Sequence, residues 1–434
     1  IVLDRSAFYA EAGGQIADVG TLTGSGLEFE FMVEDCQRYA GFVLHEGYVS
    51  SGTLSLGAEV KVTVDFGRRA PIAMNHTATH VMNHGLREVL GDDCNQKGSL
   101  VNDDKFRFDF SFARPPTVEE MAKVEALSRE QIQQSLPVFV KECALDDARS
   151  INSLRAVFGE AYPDPVRVVS VGADIEKMIA DPDNAEWMKY SVEFCGGTHL
   201  ASTAEAVDFV IVSEGGIAQG VRRITGATGA KAAALHARAK EVGEKASAAQ
   251  ALSGDALKKE LTALKQVAEE EELPLSFRNG PFAEVMKALG AKVLAAGKGD
   301  AKAAAARVQA EAESLVVAES APFVAHLLEA EADAKALDLA VAALSKAHST
   351  KPVLVVGVSP KATAVLAVAP KGHAMNAKEW VAAALEPAGG KGGGKPDRGQ
   401  GSSKDASKGA ETLSAAVAFA TGVVSGGSAS EPQD

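Results

Sequence analysis

Two short segments, remote from each other in the chain, constrain it most: His-Thr-Ala-Thr-His at 76–80 and Cys-Gly-Gly-Thr-His at 195–199. Each offers two metal-competent side chains at i and i+4, a spacing that on a helix stacks both on one face. Together His76, His80, Cys195 and His199 make a set of three nitrogens and one sulfur. That set suits tetrahedral zinc, which takes borderline-soft donors. Gly196 and Gly197, directly after the cysteine, let backbone approach a ligand closely. His84 repeats the spacing once more beyond His80, so spacing alone does not choose the pair.

Composition sets the outer bounds. A chain of 434 residues has room for several domains and a substantial core, and 46% hydrophobic with 24% charged residues describes a globular protein. No apolar run approaches the roughly 20 residues needed to span a bilayer, so no membrane partner is expected. The net charge of −14 excludes a protein that coats nucleic acid indiscriminately, and DNA is not an expected partner. Local basic patches remain compatible with it. Cys36, Cys94, Cys143 and Cys195 lack a disulfide-framework spacing, which implies reduced thiols and a cytoplasmic setting. The opening Ile-Val-Leu-Asp reads as mid-strand, the start expected of a piece of something longer.

Periodicity implies an α+β chain in four parts. Residues 1–70 read as a small β-rich, barrel-like domain with glycine-bearing turns. In it, Phe8-Tyr-Ala-Glu-Ala-Gly-Gly-Gln15 is either a loop pressed on a neighbouring site or a tight turn. Residues 71–229 read as an α+β domain. Its first helix is expected from Pro71 to a stop at Gly91, and a capping box at Thr117–Glu120 opens another. A short helix is expected over Ala156–Tyr162, a surface excursion over Ile175–Tyr190, and a strand end at Val192–Phe194 that delivers Cys195. Residues 230–350 read as a helical arm, either a solvated spacer or a surface for self-association. Residues 351–434 read as a small glycine-rich α/β domain.

Two basic features stand outside the metal motifs. Arg222 and Arg223 are adjacent on a strand, so at most one faces a given cleft; solvation and a phosphate contact are the two readings. Lys391 and Lys395 lie in the glycine-rich run 389–401, read as a loop that either stays flexible or offers backbone N–H groups to phosphate. Four protein ligands ordinarily close a zinc site into a structural one. Three fixed ligands, with Cys195 or water in the fourth place, leave a Lewis acid able to polarise an ester and a water. Hydrolysis of small activated esters is the chemistry this suggests.

The motifs Phe8–Gln15, Asn75-His-Thr-Ala-Thr-His80, Gln96-Lys-Gly-Ser-Leu-Val101, Arg107-Phe-Asp-Phe110, Arg167-Val-Val-Ser-Val-Gly172, Phe194-Cys-Gly-Gly-Thr-His199 and Gly220-Val-Arg-Arg-Ile224 together resemble the editing domain of alanyl-tRNA synthetases. The resemblance runs in order through residues 1–225; the arm and residues 389–401 more loosely resemble the family's C-terminal dimerisation and tRNA-binding region. It implies His76, His80, Cys195 and His199 as zinc ligands, against His84. It also implies roles for Gln96 and Cys195 in catalysis, and tRNA contacts at Arg222, Arg223, Lys391 and Lys395. The implied substrate is serine or glycine wrongly esterified to tRNA(Ala). A pocket sized for alanine rejects these poorly, since a methylene is worth roughly 1–3 kcal/mol. Thr77 and Thr79 are candidate partners for the substrate, at least one of them facing away. No stretch resembles the class II aminoacylation core or its ATP-binding motifs, so ATP and Mg2+ chemistry is expected in the parent enzyme rather than here. A free-standing trans-editing deacylase and an inert, zinc-stabilised dimerisation and tRNA-binding module are the competing readings.

Overall fold

The computed structural model describes residues 1–24, 29–157, 160–328 and 334–426. It resolves into two compact units, Ile1–Gly290 and Ala291–Asp434.

The first unit opens with β1 (Gly20–Gly24), β2 (Phe29–Tyr39), β3 (Phe42–Gly52) and β4 (Val60–Val64), an antiparallel sheet in the order β3-β2-β1-β4. Phe29, Phe31 and Val33 alternate onto its buried face. The expected barrel is not formed: among the described residues the outer strands β3 and β4 do not pair. The five-residue β1 pairs with β2 only over Glu30–Val33, and the outer edge of β3 is taken by the N-terminal segment, where Val2 bridges Leu44 and His45 N donates to Ile1 O at 2.8 Å. Gly26 and Leu27, expected in a turn and a strand here, lie outside the described residues.

Helix α1 (Phe66–Leu90) begins five residues before Pro71, because Asp65 caps it by accepting from Arg68 N at 3.1 Å. Next come β5 (Gln96–Val101), β6 (Phe106–Ser111) and α2 (Val118–Gln133), whose Thr117–Glu120 capping box is formed as expected. Then β7 (Val138–Cys143), α3 (Leu145–Ser150), β8 (Leu154–Arg155), β9 (Val166–Val171), α4 (Ile175–Ala180) and β10 (Ser191–Phe194) follow. The strands form a sheet in the order β7-β9-β10-β8. The helix expected over Ala156–Tyr162 is absent from its described residues, 158 and 159 lying outside them. Instead β8 runs parallel to β10, and Tyr162 Oη accepts from Val157 N at 2.9 Å. Nor is Ile175–Tyr190 a mere surface excursion, because α4 buries Ile175 and Met178 in a core with Val166, Val168 and Val192.

Strands β11 (Phe209–Ala218) and β12 (Val221–Thr228) complete a third sheet, β11-β12-β6-β5. Period-two alternation puts Phe106, Phe108 and Phe110 in one core with Met82 and Leu86 of α1 and Val124 of α2. This core fixes α1, and so the first metal motif, against the sheet. Helices α5 (Gly229–Ala249), α6 (Gly254–Glu270), α7 (Leu275–Asn279) and α8 (Pro281–Ser314) follow. The division between the units falls inside α8.

In the second unit, β13 (Val324–Leu327), expected in the arm, joins β14 (Val353–Ser359), β15 (Ala362–Val368), β16 (Lys391–Lys395) and β17 (Arg398–Ser403) in a sheet of order β13-β14-β15-β17-β16. Helix α9 (Ala334–Ala347), also expected in the arm, packs on this sheet, as do α10 (Ala377–Leu385) and α11 (Gly409–Gly426). Val353 and Val355 of β14 face a core with α9, while Leu354 and Val356 face another with α10 and α11. A strand buried on both faces reads as an unbroken apolar run, as this one does.

The glycine-rich run 389–401 is therefore a hairpin and not a loop. Its glycines have a packing cause. A Cβ at Gly399 would overlap the carbonyl of Ala377, and one at Gly392 would reach Val381 Cγ1 at 2.6 Å, so α10 lies directly on the strands. We expect Gly399→Ala to cost about 1–3 kcal/mol by forcing that helix off the sheet. Gly393→Ala, where nothing lies within 4 Å, should stay within about 0.5 kcal/mol. Denaturant melts of the two variants check this.

Candidate metal centre

The two motifs meet. One donor atom from each of His76, His80, Cys195 and His199 lies within 4.8 Å of the others. His76 Nε2 stands 3.3 Å and His199 Nε2 3.2 Å from Cys195 Sγ. His76 and His80 come from the middle of α1; the cysteine follows β10, whose pairing with β9 and β8 sets where the loop begins. Arg167 Nη1 pins that loop by donating to the carbonyls of Cys195 (2.6 Å) and Gly197 (2.9 Å). His84 is buried one turn further along α1 and lies outside the group.

Gln15 orients the first ligand. Its Oε1 accepts from Thr198 N at 2.9 Å, while its Nε2 donates to Thr198 Oγ1 at 2.9 Å. The oxygen therefore also accepts from His76 Nδ1 (2.6 Å), so the proton sits on Nδ1 and Nε2 is left with its lone pair towards the cysteine. His199 Nδ1 bonds Thr77 Oγ1 at 3.1 Å, which in turn accepts from Leu200 N. Burial first, then neighbouring imidazoles and Arg167, holds His76 and His199 well below the ordinary histidine range; burial and Arg167 lower His80 to about 3. All three rings are thus kept as the neutral base that binds a metal. Burial pushes the Cys195 thiol up to about 11, and Glu193, two residues before it, up to about 7. A divalent cation is what would favour the thiolate in such a place. The donor set, the buried neutral rings and the braced outer nitrogens of His76 and His199 fit zinc.

The cluster opens on a cavity of about 430 Å3. Gln96, at the head of β5, lines it together with Cys195, His76, His80, Thr79 and Tyr9. Thr79 Oγ1 donates to Asn75 O at 2.8 Å and so offers the cavity acceptor lone pairs. Thr77, engaged with His199 and Leu200, does not line it. The Phe8–Gln15 motif is a loop pressed on this site: Gly14, at φ +89°, lies where a Cβ would overlap the Ser99 carbonyl. Gln15, Arg167 and Glu193 are site residues beyond those expected; Gln15 and Arg167 stand inside the quoted motifs, whereas Glu193 lies just ahead of one.

The remaining site expectations fall elsewhere. Arg222 is held by Glu214 (2.6 and 2.8 Å), and Arg223 by Asp109, its cross-strand neighbour (2.7 Å at both contacts). Neither arginine is a free cation awaiting phosphate. Lys391 and Lys395 are exposed at the two ends of the edge strand β16. All four cysteines are free thiols. Among the described residues no helix is long and apolar enough to cross a membrane.

Comparisons with known proteins converge on one family. Residues 1–68 match the model described as tRNA synthetases class II (A), a class II resemblance that the motifs above did not assign to that segment. Residues 166–225 match the threonyl and alanyl tRNA synthetase second additional domain, and residues 320–424 the DHHA1 domain. These matches mark the chain as part of an aminoacyl-tRNA synthetase. The cytoplasmic alanine–tRNA ligase of Dictyostelium discoideum is 39% identical over 420 residues, 92% of this chain and 44% of that protein. The mitochondrial enzyme of Saccharomyces cerevisiae is 53% identical over 232 residues, 54% of this chain and 24% of that one. The chain belongs to the alanyl-tRNA synthetase family, corresponds to a C-terminal portion of it, and spans less than half the length of these relatives. The C-Ala domain crystal structure from Aquifex aeolicus alanyl-tRNA synthetase aligns over 26% of this chain and 99% of that one, at 19% identity and a TM-score of 0.22.

Gly197 gives a test of the geometry. A Cβ there would overlap His76 and come within 2.8 Å of Gln15 Oε1, whereas Gly196 has nothing within 4 Å. Gly197→Ala should abolish stoichiometric zinc binding and Gly196→Ala should keep it, as read by zinc released to a chromophoric chelator from the purified proteins.

Proposed function

We propose that this chain hydrolyses the ester of serine or glycine wrongly attached to tRNA(Ala), using the cavity beside His76, His80, Cys195 and His199. The observation that carries the reading is that Gln96 and Thr79 line the same cavity as His76, His80 and Cys195. Its volume of about 430 Å3 suits an aminoacyl group with part of a terminal nucleotide. Bound at those four side chains, zinc would supply a fixed positive charge that polarises the ester or a water.

The chain's own residues do the rest. Thr79, its hydrogen committed to Asn75 O, accepts from a serine hydroxyl or an α-amino group. The Gln96 amide, with both donor and acceptor, holds the ester carbonyl or the attacking water. Water adds to the carbonyl carbon, the bond to the ribose oxygen breaks, and the amino acid leaves with tRNA carrying a free terminal hydroxyl. Gln15 and Arg167 keep the ligand loop in place while this happens. Lys391 and Lys395 on the exposed edge strand contact the tRNA backbone through charge, an interaction that weakens with salt. Self-association through α5–α8 belongs to the same reading.

Release of serine from pre-charged seryl-tRNA(Ala) tests the proposal. The chain should release serine rapidly and spare alanyl-tRNA(Ala). Cys195→Ala, checked for folding, should lose at least about 100-fold in rate. Thr79→Val should slow seryl-tRNA hydrolysis about 10–100-fold relative to glycyl-tRNA, because an acceptor for the hydroxyl is gone. Tight tRNA binding without any release would instead mark an inert binding module.

A further inference from the structure

Three imidazoles contribute to the cluster, but their outer nitrogens are treated differently. His76 Nδ1 is bonded to Gln15 and His199 Nδ1 to Thr77, whereas His80 Nδ1 is buried with no hydrogen-bond partner. An N–H left in that state is costly, and natural proteins seldom tolerate it without cause. The acidic side chain facing it is Glu193, whose Oε2 stands 3.7 Å away. Both residues are buried, His80 at 4% and Glu193 at 8% exposure.

Glu193 is itself aimed. Its Oε1 accepts from Asn83 Nδ2 at 2.8 Å and from Ser191 Oγ at 3.4 Å, which leaves Oε2 turned to the imidazole. Asn83 lies on α1 three residues beyond His80, and its own Oδ1 accepts from Arg155 Nη1 at 3.3 Å. A carboxylate so enclosed, reaching an arginine through an amide, is expensive unless a further positive charge sits beside it. A divalent ion bound by one thiolate and three neutral imidazoles carries one net positive charge. Glu193 would cancel it.

We propose that Glu193 is a positioning residue for the metal: it is the acceptor for His80 Nδ1–H, fixes the tautomer that leaves Nε2 for the ion, and neutralises the filled site. The inference rests on the metal reading above. It assigns a buried glutamate to metal affinity rather than to the packing of β10. Paired carboxylate and histidine side chains of this kind govern both ring orientation and ligand basicity.

The test uses the full chain, zinc alone, and two variants. Glu193→Gln keeps shape and an acceptor oxygen but removes the charge, while Glu193→Ala removes both. Zinc affinity is read by competition with a chromophoric chelator, and the ligand field by the visible bands of the cobalt(II)-substituted protein. Circular dichroism checks the fold. Glu193→Ala should lose about 10–100-fold in zinc affinity, Glu193→Gln should fall between it and the natural residue, and the cobalt bands should shift in both. If Glu193→Ala does not fold, the isosteric Glu193→Gln decides alone. Folded variants that bind zinc as tightly as the natural chain, with an unchanged cobalt spectrum, would overturn the inference. A natural chain that takes up no zinc would instead overturn the metal reading itself, so the two failures are told apart.

Discussion

One side chain holds three remote segments together. Gln15 Oε1 accepts from His76 Nδ1 on α1 and from Thr198 N in the cysteine loop, and Gln15 is fully buried while doing so. The bonds reach 61 and 183 residues along the chain. Because the amide is oriented by a backbone donor, the tautomer of His76 follows from it with no freedom left. The N-terminal sheet is thus part of the metal centre and not an appendage to it, since its leading loop supplies the group that aims the first ligand.

The same economy of charge runs through the site. The histidines are buried as neutral bases and the cysteine as a thiol, so the protein alone carries little charge there beyond Glu193 and the guanidinium of Arg167. Such a pocket gains from a bound divalent ion, which converts the thiol to a thiolate at no cost in uncompensated charge. Arg222 and Arg223 show the opposite arrangement. Their positive charges are matched by Glu214 and Asp109 within the sheet. The strand register explains it, because Asp109 sits directly across from Arg223.

Local periodicity made some of this legible in the sequence. The i, i+4 histidines, the alternation of Phe106, Phe108 and Phe110, and the apolar run of β14 each report one face of one element, and the structure uses those faces as read. The rest follows from caps, edges and close contacts that periodicity does not report. Helix α1 begins ahead of Pro71 because Asp65 caps it upstream. The barrel stays open because the N-terminal segment takes the outer edge of β3. The glycines of 389–401 suggested a loop, when their cause is the approach of α10 to the strands, a contact no local pattern encodes. Glu193 reads as a strand residue; nothing in its neighbours announces His80 across the core.

X-ray absorption at the zinc edge of the purified chain reports whether three nitrogens and one sulfur hold the metal. One zinc per chain is expected, with a single sulfur at about 2.3 Å and nitrogens at about 2.0–2.1 Å. A shell without sulfur, or a chain that holds no stoichiometric zinc, would contradict it.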